Sequence, residues 1–270
     1  MQLSHIQFIF NRALALTIDK TKWLITFAVL SLCGLFVVFC RGLAENANPW
    51  IAMSLTFLPV FLCSGILLAL GIILIRGYHD EVKKKDVNYY KIFKSSWQTM
   101  LGASYFAVPL LLLYLMLWMF LGIFLLLSTL PSIGEFFAVI LVFAPFLINL
   151  ATLFLCTIVV GTLFFVTPIL ALKGLTQAYV SDIGKKIQSD LFSSFLLIFI
   201  GTFPCFLYWG FLFLAAFMTG SICFICLNLL QTILQWFFLM IPFAAFMAPA
   251  IIFFFNFSAE SYVLINKKES

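Results

Sequence analysis

The chain has 270 residues, of which 9% are charged and 64% hydrophobic, and 35 of them are phenylalanine. A soluble domain carries about 25% charged residues and could not cover its surface with this composition. That excludes a soluble enzyme, a nucleic-acid-binding domain and a disordered chain, and leaves a polytopic integral membrane protein.

Uncharged runs mark the elements in chain order. Residues 1–22 place Leu3, Ile6, Phe10, Ala13 and Leu14 at helical spacing, with Arg12, Lys20 and Lys22 at the polar positions. This pattern predicts an amphipathic helix in the headgroup plane. An uncharged run of 18 residues between Lys22 and Arg41 predicts a first span at 23–41. The span is read as retained, because its core exceeds the 7–15 residues of a signal peptide. The run of 30 between Glu45 and Arg76 predicts a second span at 51–75. The following loop holds Lys83, Lys84, Lys85, Lys91 and Lys94. Its Asp80, Glu81 and Asp86 read as solvated loop charges. Tyr90, Phe93 and Trp97 then recur at i, i+3 and i+7 as a second amphipathic segment.

The run of 40 between Lys94 and Glu135 opens on Ser95, Ser96, Gln98 and Thr99, so its span is placed at 102–128. The run of 37 between Glu135 and Lys173 predicts one over-long span at 136–172. It would measure roughly 55 Å at 1.5 Å per residue, against about 20 residues needed to cross the hydrocarbon. It is read as a span plus a cytoplasmic extension, bent at Pro145 and Pro168. Leu175, Tyr179, Ile183 and Ile187 form a third amphipathic segment at steps of four. The run of 69 between Asp190 and Glu260 breaks at Met218-Thr219-Gly220-Ser221. It yields spans at 193–217 and 222–257, the latter bent at Pro242 and Pro249. The fold class is thus an all-α bundle of six transmembrane helices with amphipathic juxtamembrane helices.

Lysine and arginine fix the expected orientation. Alternate segments carry 14 on one side and 1, Arg41, on the other. The positive-inside rule then places both termini in the cytoplasm. The +5 net charge is a topology signal that suits an anionic inner leaflet rather than nucleic acid. Trp23, Trp97, Tyr78 and Tyr179 are expected at the inner interface and Trp50 at the outer one. Arg76, Glu135 and Lys173 are expected to snorkel from span ends.

Pro168-Ile169-Leu170, followed by Ala178-Tyr179-Val180 and Lys185-Lys186, parallels Pro249-Ala250-Ile251, followed by Ser261-Tyr262-Val263 and Lys267-Lys268. With an amphipathic segment before each pair of spans, this suggests a pseudo-repeat of three helical hairpins. The lead Phe10-Asn11-Arg12-Ala13-Leu14, the exit Ile75-Arg76-Gly77-Tyr78 and the stretch Pro168 to Ser181 resemble a group of uncharacterised bacterial six-helix inner-membrane proteins. These are similar to the membrane domain found beside glycerophosphodiester phosphodiesterases. The resemblance implies a bacterial inner membrane and no known activity, and the catalytic domain of those phosphodiesterases has no counterpart in this sequence.

The chemistry of sites is sparse. The two histidines, His5 and His79, fall in juxtamembrane segments, and His79-Asp80-Glu81 reads as a solvated loop rather than a metal site. No HExxH, GxSxG or Walker-type motif is present. Of seven cysteines, Cys223 and Cys226 match a redox spacing, yet all seven lie in apolar runs and read as small hydrophobes. No catalytic residue, cofactor or metal is expected. One polar stripe remains on the sixth span, Asn228, Gln231 and Gln235, with Asn149 and Thr152 on the fourth as its counterpart. Such amides serve either as interhelical glue or as the wall of a polar cavity. The expected function is a non-enzymatic multi-pass membrane protein, accessory or lipid-organising. Its partners would be an anionic inner leaflet, with Lys83, Lys84, Lys85, Lys91 and Lys94 at the headgroups, or another membrane protein. The alternative is a transporter of a small solute or lipid through the polar face of the sixth span.

Overall fold

The computed structural model describes residues 3–44, 47–128, 134–174, 191–219 and 229–267. All regular structure in them is helical: α1 (Leu3–Ala15), α2 (Lys20–Ala44), α3 (Pro49–Val82), α4 (Tyr89–Ser104), α5 (Ala107–Ser128), α6 (Gly134–Lys173), α7 (Leu191–Met218) and α8 (Leu229–Lys267). Six helical stretches are long and apolar enough to cross a membrane, with α4 and α5 forming one of them. The protein is a multi-pass membrane protein of six spans.

Local chemistry sets the boundaries. Asp19 Oδ1 accepts from the Thr21 amide at the start of α2, and Asn88 Oδ1 accepts from the Lys91 amide at the start of α4. Each satisfies a donor that the first helical turn leaves free. Around the third span expected at 102–128, helix begins earlier, at Tyr89, and is interrupted at Tyr105–Phe106. The cause is Pro109. It has no N–H for the Tyr105 carbonyl, and its ring crowds that same carbonyl. The chain instead makes short-range bonds, from Phe106 N to Ala103 O at 2.9 Å and from Val108 N to Tyr105 O at 3.3 Å. By contrast α3, α6 and α8 run on without interruption through Pro59, Pro145, Pro168, Pro242 and Pro249.

At 34, 40 and 39 residues, α3, α6 and α8 are the longest helices. All three end where α2 begins, which is the end bearing Arg12, Lys22, Lys83–Lys85 and Lys173; it is called the basic end below. Toward that end they pack together as part of the bundle's main core. Phe164 of α6 packs edge-on against Phe254 at 5.5 Å and tilted on Phe257 at 6.2 Å. Gly71 lets α3 meet α6 and α8, since a Cβ there would overlap the Phe255 ring and come within 2.6 Å of Thr167 Cγ2. Ser258 Oγ donates to the Phe164 carbonyl at 2.5 Å. α8 packs most extensively on α2 and also touches α1, α3, α6 and α7. α7 packs mainly on α8 and otherwise presents a face of exposed phenylalanines.

The first amphipathic segment does not lie free in a headgroup plane. Ile6 and Ala13 are buried, and Phe10 packs on Phe253 at 5.0 Å and Phe257 at 6.4 Å. The apolar face of α1 is spent on α8. The second segment leaves Tyr90, Phe93 and Trp97 exposed, as an interfacial face requires. The third segment, residues 175–187, lies outside the described residues, as does the turn after Thr219.

Candidate functional site: a charge network at the basic end

The sequence places Lys22 beside the membrane as an ordinary flanking charge. In the structure its side chain is fully buried. Lys22 Nζ donates to Glu81 Oε2 at 2.5 Å and to the Leu16 carbonyl at 3.0 Å, and it lies 5.7 Å above the Tyr78 ring. Glu81 is therefore not a solvated loop charge. It sits in the last turn of α3, which continues to Val82. Tyr78 is not an interfacial side chain either: it is 3% exposed and its hydroxyl donates to Glu260 Oε1 at 2.6 Å. Arg12 Nε stands 3.5 Å from the same oxygen. The Tyr89 hydroxyl lies 3.3 Å from both Asp19 Oδ2 and Glu81 Oε1.

These contacts join Arg12, Glu260, Tyr78, Lys22, Glu81, Tyr89 and Asp19 into one chain of polar groups. It crosses α1, α2, α3, α4 and α8. Each charge meets an opposite charge or a hydroxyl, the condition under which ionised groups persist away from water. Beside the Arg12–Glu260 pair lies a cavity of about 210 Å³, with Arg12, Tyr78, His79 and Glu260 as its polar walls.

Arg76 does not snorkel. Its guanidinium donates from Nε to the Ala171 carbonyl at 2.9 Å and from one terminal nitrogen to Ser96 Oγ at 2.5 Å; the other lies 3.5 Å from Thr99 Oγ1. The planar fork thus satisfies a free carbonyl in the last turn of α6 and holds α4 against α3. Asn256 does the same for α1: its amide donates to the carbonyls of Ala13 and Leu16 at 3.4 and 3.3 Å. Asn256 itself is fully buried. Lys173 lies 5.9 Å above the Tyr262 ring.

The polar stripe read from the sequence is only partly within the described residues. Asn149 of α6 is half-buried, with its amide 3.8 Å from Met53 Sδ. Thr152 is fully buried and donates to the Ile148 carbonyl. Gln235 is exposed on α8. Asn228 and the Gln231 side chain lie outside the described residues. Lys83, Lys84, Lys85, Lys91 and Lys94 are all exposed, on and around the turn that joins α3 to α4. Cys33, Cys40, Cys63, Cys156 and Cys205 are free thiols, and the pair Cys223 and Cys226 lies outside the described residues. Among the described residues, no three His, Cys, Asp or Glu side chains converge as metal ligands would.

Sequence reasoning missed Lys22, Glu81, Tyr78, Glu260 and Arg12 as a set, because they are spread over 249 positions from Arg12 to Glu260. The available signal was a carboxylate at 260, beyond the sixth span, in a chain with only ten acidic residues. No protein-family model, curated protein or solved structure matches the chain.

Proposed function

We propose that the protein is a non-enzymatic component of a bacterial inner membrane that organises anionic lipid at the inner leaflet, with both termini in the cytoplasm. The observation that carries this reading is a division among the cations. Lys22 and Arg76 are engaged inside the bundle and Arg12, at its edge, is paired with Glu260, whereas five lysines stand exposed on one corner, between α3 and α4. Near an anionic leaflet each such lysine contributes about 1 kcal/mol of attraction. The carboxylates at the basic end are held by lysine, arginine and tyrosine, which favours a structural role for them over acid–base catalysis. The 14-to-1 distribution of lysine and arginine supports the orientation. The resemblance to the six-helix domains beside glycerophosphodiester phosphodiesterases supports the choice of membrane.

The test is lipid retention. Purified protein is offered equal amounts of phosphatidylglycerol and phosphatidylethanolamine, and bound lipid is read by native mass spectrometry. Phosphatidylglycerol should be retained preferentially. The preference should fall when Lys83, Lys84, Lys85, Lys91 and Lys94 are all replaced by Gln. Equal retention of the two lipids by the unaltered protein would overturn the reading.

A further inference from the structure

A groove of about 360 Å³ runs between α3 and the α4–α5 pair. Its buried lining is Phe61, Gly65, Met100 and Ala107, with Ala69 partly buried beside them. Its rims are bulky and exposed, with Leu62 and Ile66 on one side and Leu101 and Val108 on the other. Trp97, Leu101 and Ser104 of α4 and Val108 and Leu111 of α5 line the second wall as one stripe that passes across the interruption. Continued toward the basic end, that stripe meets Lys94 one turn before Trp97. Lys91 follows three residues further on, and both lysines are exposed.

The groove therefore has a cationic end, an aromatic residue of the kind that anchors at an interface, and an apolar length. That length is roughly 12 Å along α3, from Phe61 to Ala69, and roughly 20 Å along α4–α5, from Trp97 to Leu111, at 1.5 Å per residue. One leaflet of hydrocarbon is about 15 Å deep, half of a 30 Å core.

We propose that this groove seats one acyl chain of an anionic phospholipid, whose phosphate is held by Lys91 and Lys94. The inference rests on the lipid-organising reading above and names its site. Gly65 and Ala69, four apart, would also admit a partner helix. What favours a lipid is the pair of exposed lysines at the head of the groove. A chain enters between the rims, while the two lysines supply charge-assisted hydrogen bonds to the phosphate.

Trp97 serves as the reporter. The other five tryptophans are replaced by Phe, and the protein is reconstituted into phosphatidylcholine vesicles. These contain a small fraction of phosphatidylglycerol or phosphatidylcholine with brominated chains, which quench nearby indoles. Brominated phosphatidylglycerol should quench Trp97 more strongly at equal fraction. Lys91→Gln with Lys94→Gln should lower that preference roughly tenfold or more. Gly65→Leu should abolish the preferential quenching by filling the groove. A Cβ there would meet Ala107 Cβ at 3.5 Å, an ordinary contact, and an unchanged thermal midpoint in detergent checks that the larger side chain leaves the helices packed. Equal quenching by the two lipids, or quenching indifferent to Gly65→Leu, overturns the groove. If phosphatidylglycerol is still retained in the mass spectrometer, the wider reading stands and only this site falls. Disulfide formation between two chains carrying Leu101→Cys, in place of preferential quenching, would identify a second copy as the occupant and also overturn the proposal.

Discussion

Lys22 occupies the first turn of α2 with its side chain fully buried, 2.5 Å from Glu81 Oε2. The Glu81 side chain retains 19% exposure, so the pair is a partly sheltered one. Removing one member leaves the other without its counter-charge, which costs about 3–5 kcal/mol for a buried pair. Lys22→Met should therefore lower thermal stability in detergent by an amount near that range. Adding Glu81→Gln should restore much of the loss, since both charges are then gone; a double variant no more stable than Lys22→Met would contradict the coupling. None of this was legible in the sequence. Lys22 reads as a flanking charge and Glu81 as one of several loop carboxylates. Their partnership spans 59 positions, and no local periodicity links them. Tyr78 was misplaced for the same reason. An aromatic at a span end fits an interfacial belt until Glu260, 182 positions later, supplies an acceptor for its hydroxyl.

α1 is held by a packed aromatic contact and by Asn256, which caps its last turn from α8. Asn256→Ala removes one of two donors from each carbonyl, since Ala13 O keeps Thr17 Oγ1 and Leu16 O keeps Lys22 Nζ. Each hydrogen bond lost costs about 0.5–1.5 kcal/mol. α1 should then detach more often than the bundle unfolds, so limited proteolysis should cut within residues 1–19 before any other site. Protection equal to that of the unaltered chain would show that Phe10 packing alone holds the helix. The spans themselves were largely readable, because a hydrocarbon core forbids charge and so writes itself into charge-free runs. What charge cannot mark is where a helix breaks or continues. Helix begins at Tyr89, before the expected span at 102–128, and Pro109 sets the interruption between α4 and α5. Helix continues through Pro145, Pro168, Pro242 and Pro249. The two amphipathic segments within the described residues looked alike in sequence, yet one is docked and one exposed. An apolar helical face is the same pattern whether it meets lipid or another helix.

At the scale of the whole molecule, α3 and α8 form the axis and α5 and α7 the lipid-facing flanks, with most of the buried polar chemistry drawn to one end. Hydrophobic extension past one bilayer thickness in α3, α6 and α8 is explained by that end, where the extra turns bury Phe253, Phe254, Phe255 and Phe257. The proposed orientation predicts labelling of engineered thiols in a background without the seven native cysteines. A membrane-impermeant reagent should reach Asn48→Cys in intact spheroplasts, and Asp86→Cys only after permeabilisation. Both positions are exposed, so the reverse pattern would invert the topology. The transport alternative was legible only as a stripe of amides. Of that stripe, Asn149 faces Met53 of α3, Thr152 bonds within its own helix and Gln235 is exposed.

The bond from Asn256 to Ala13 joins residues 243 positions apart. During synthesis α1 emerges before its partners on α8, by an interval of tens of seconds at about 5–20 residues per second. Throughout that interval Ile6 and Phe10 have no helix to cover them, and Arg12 has no Glu260. A chain released early would keep this uncovered helix permanently. The N-terminal element thus distinguishes a finished molecule from a truncated one, and a protease that attacks free helices would remove only the latter.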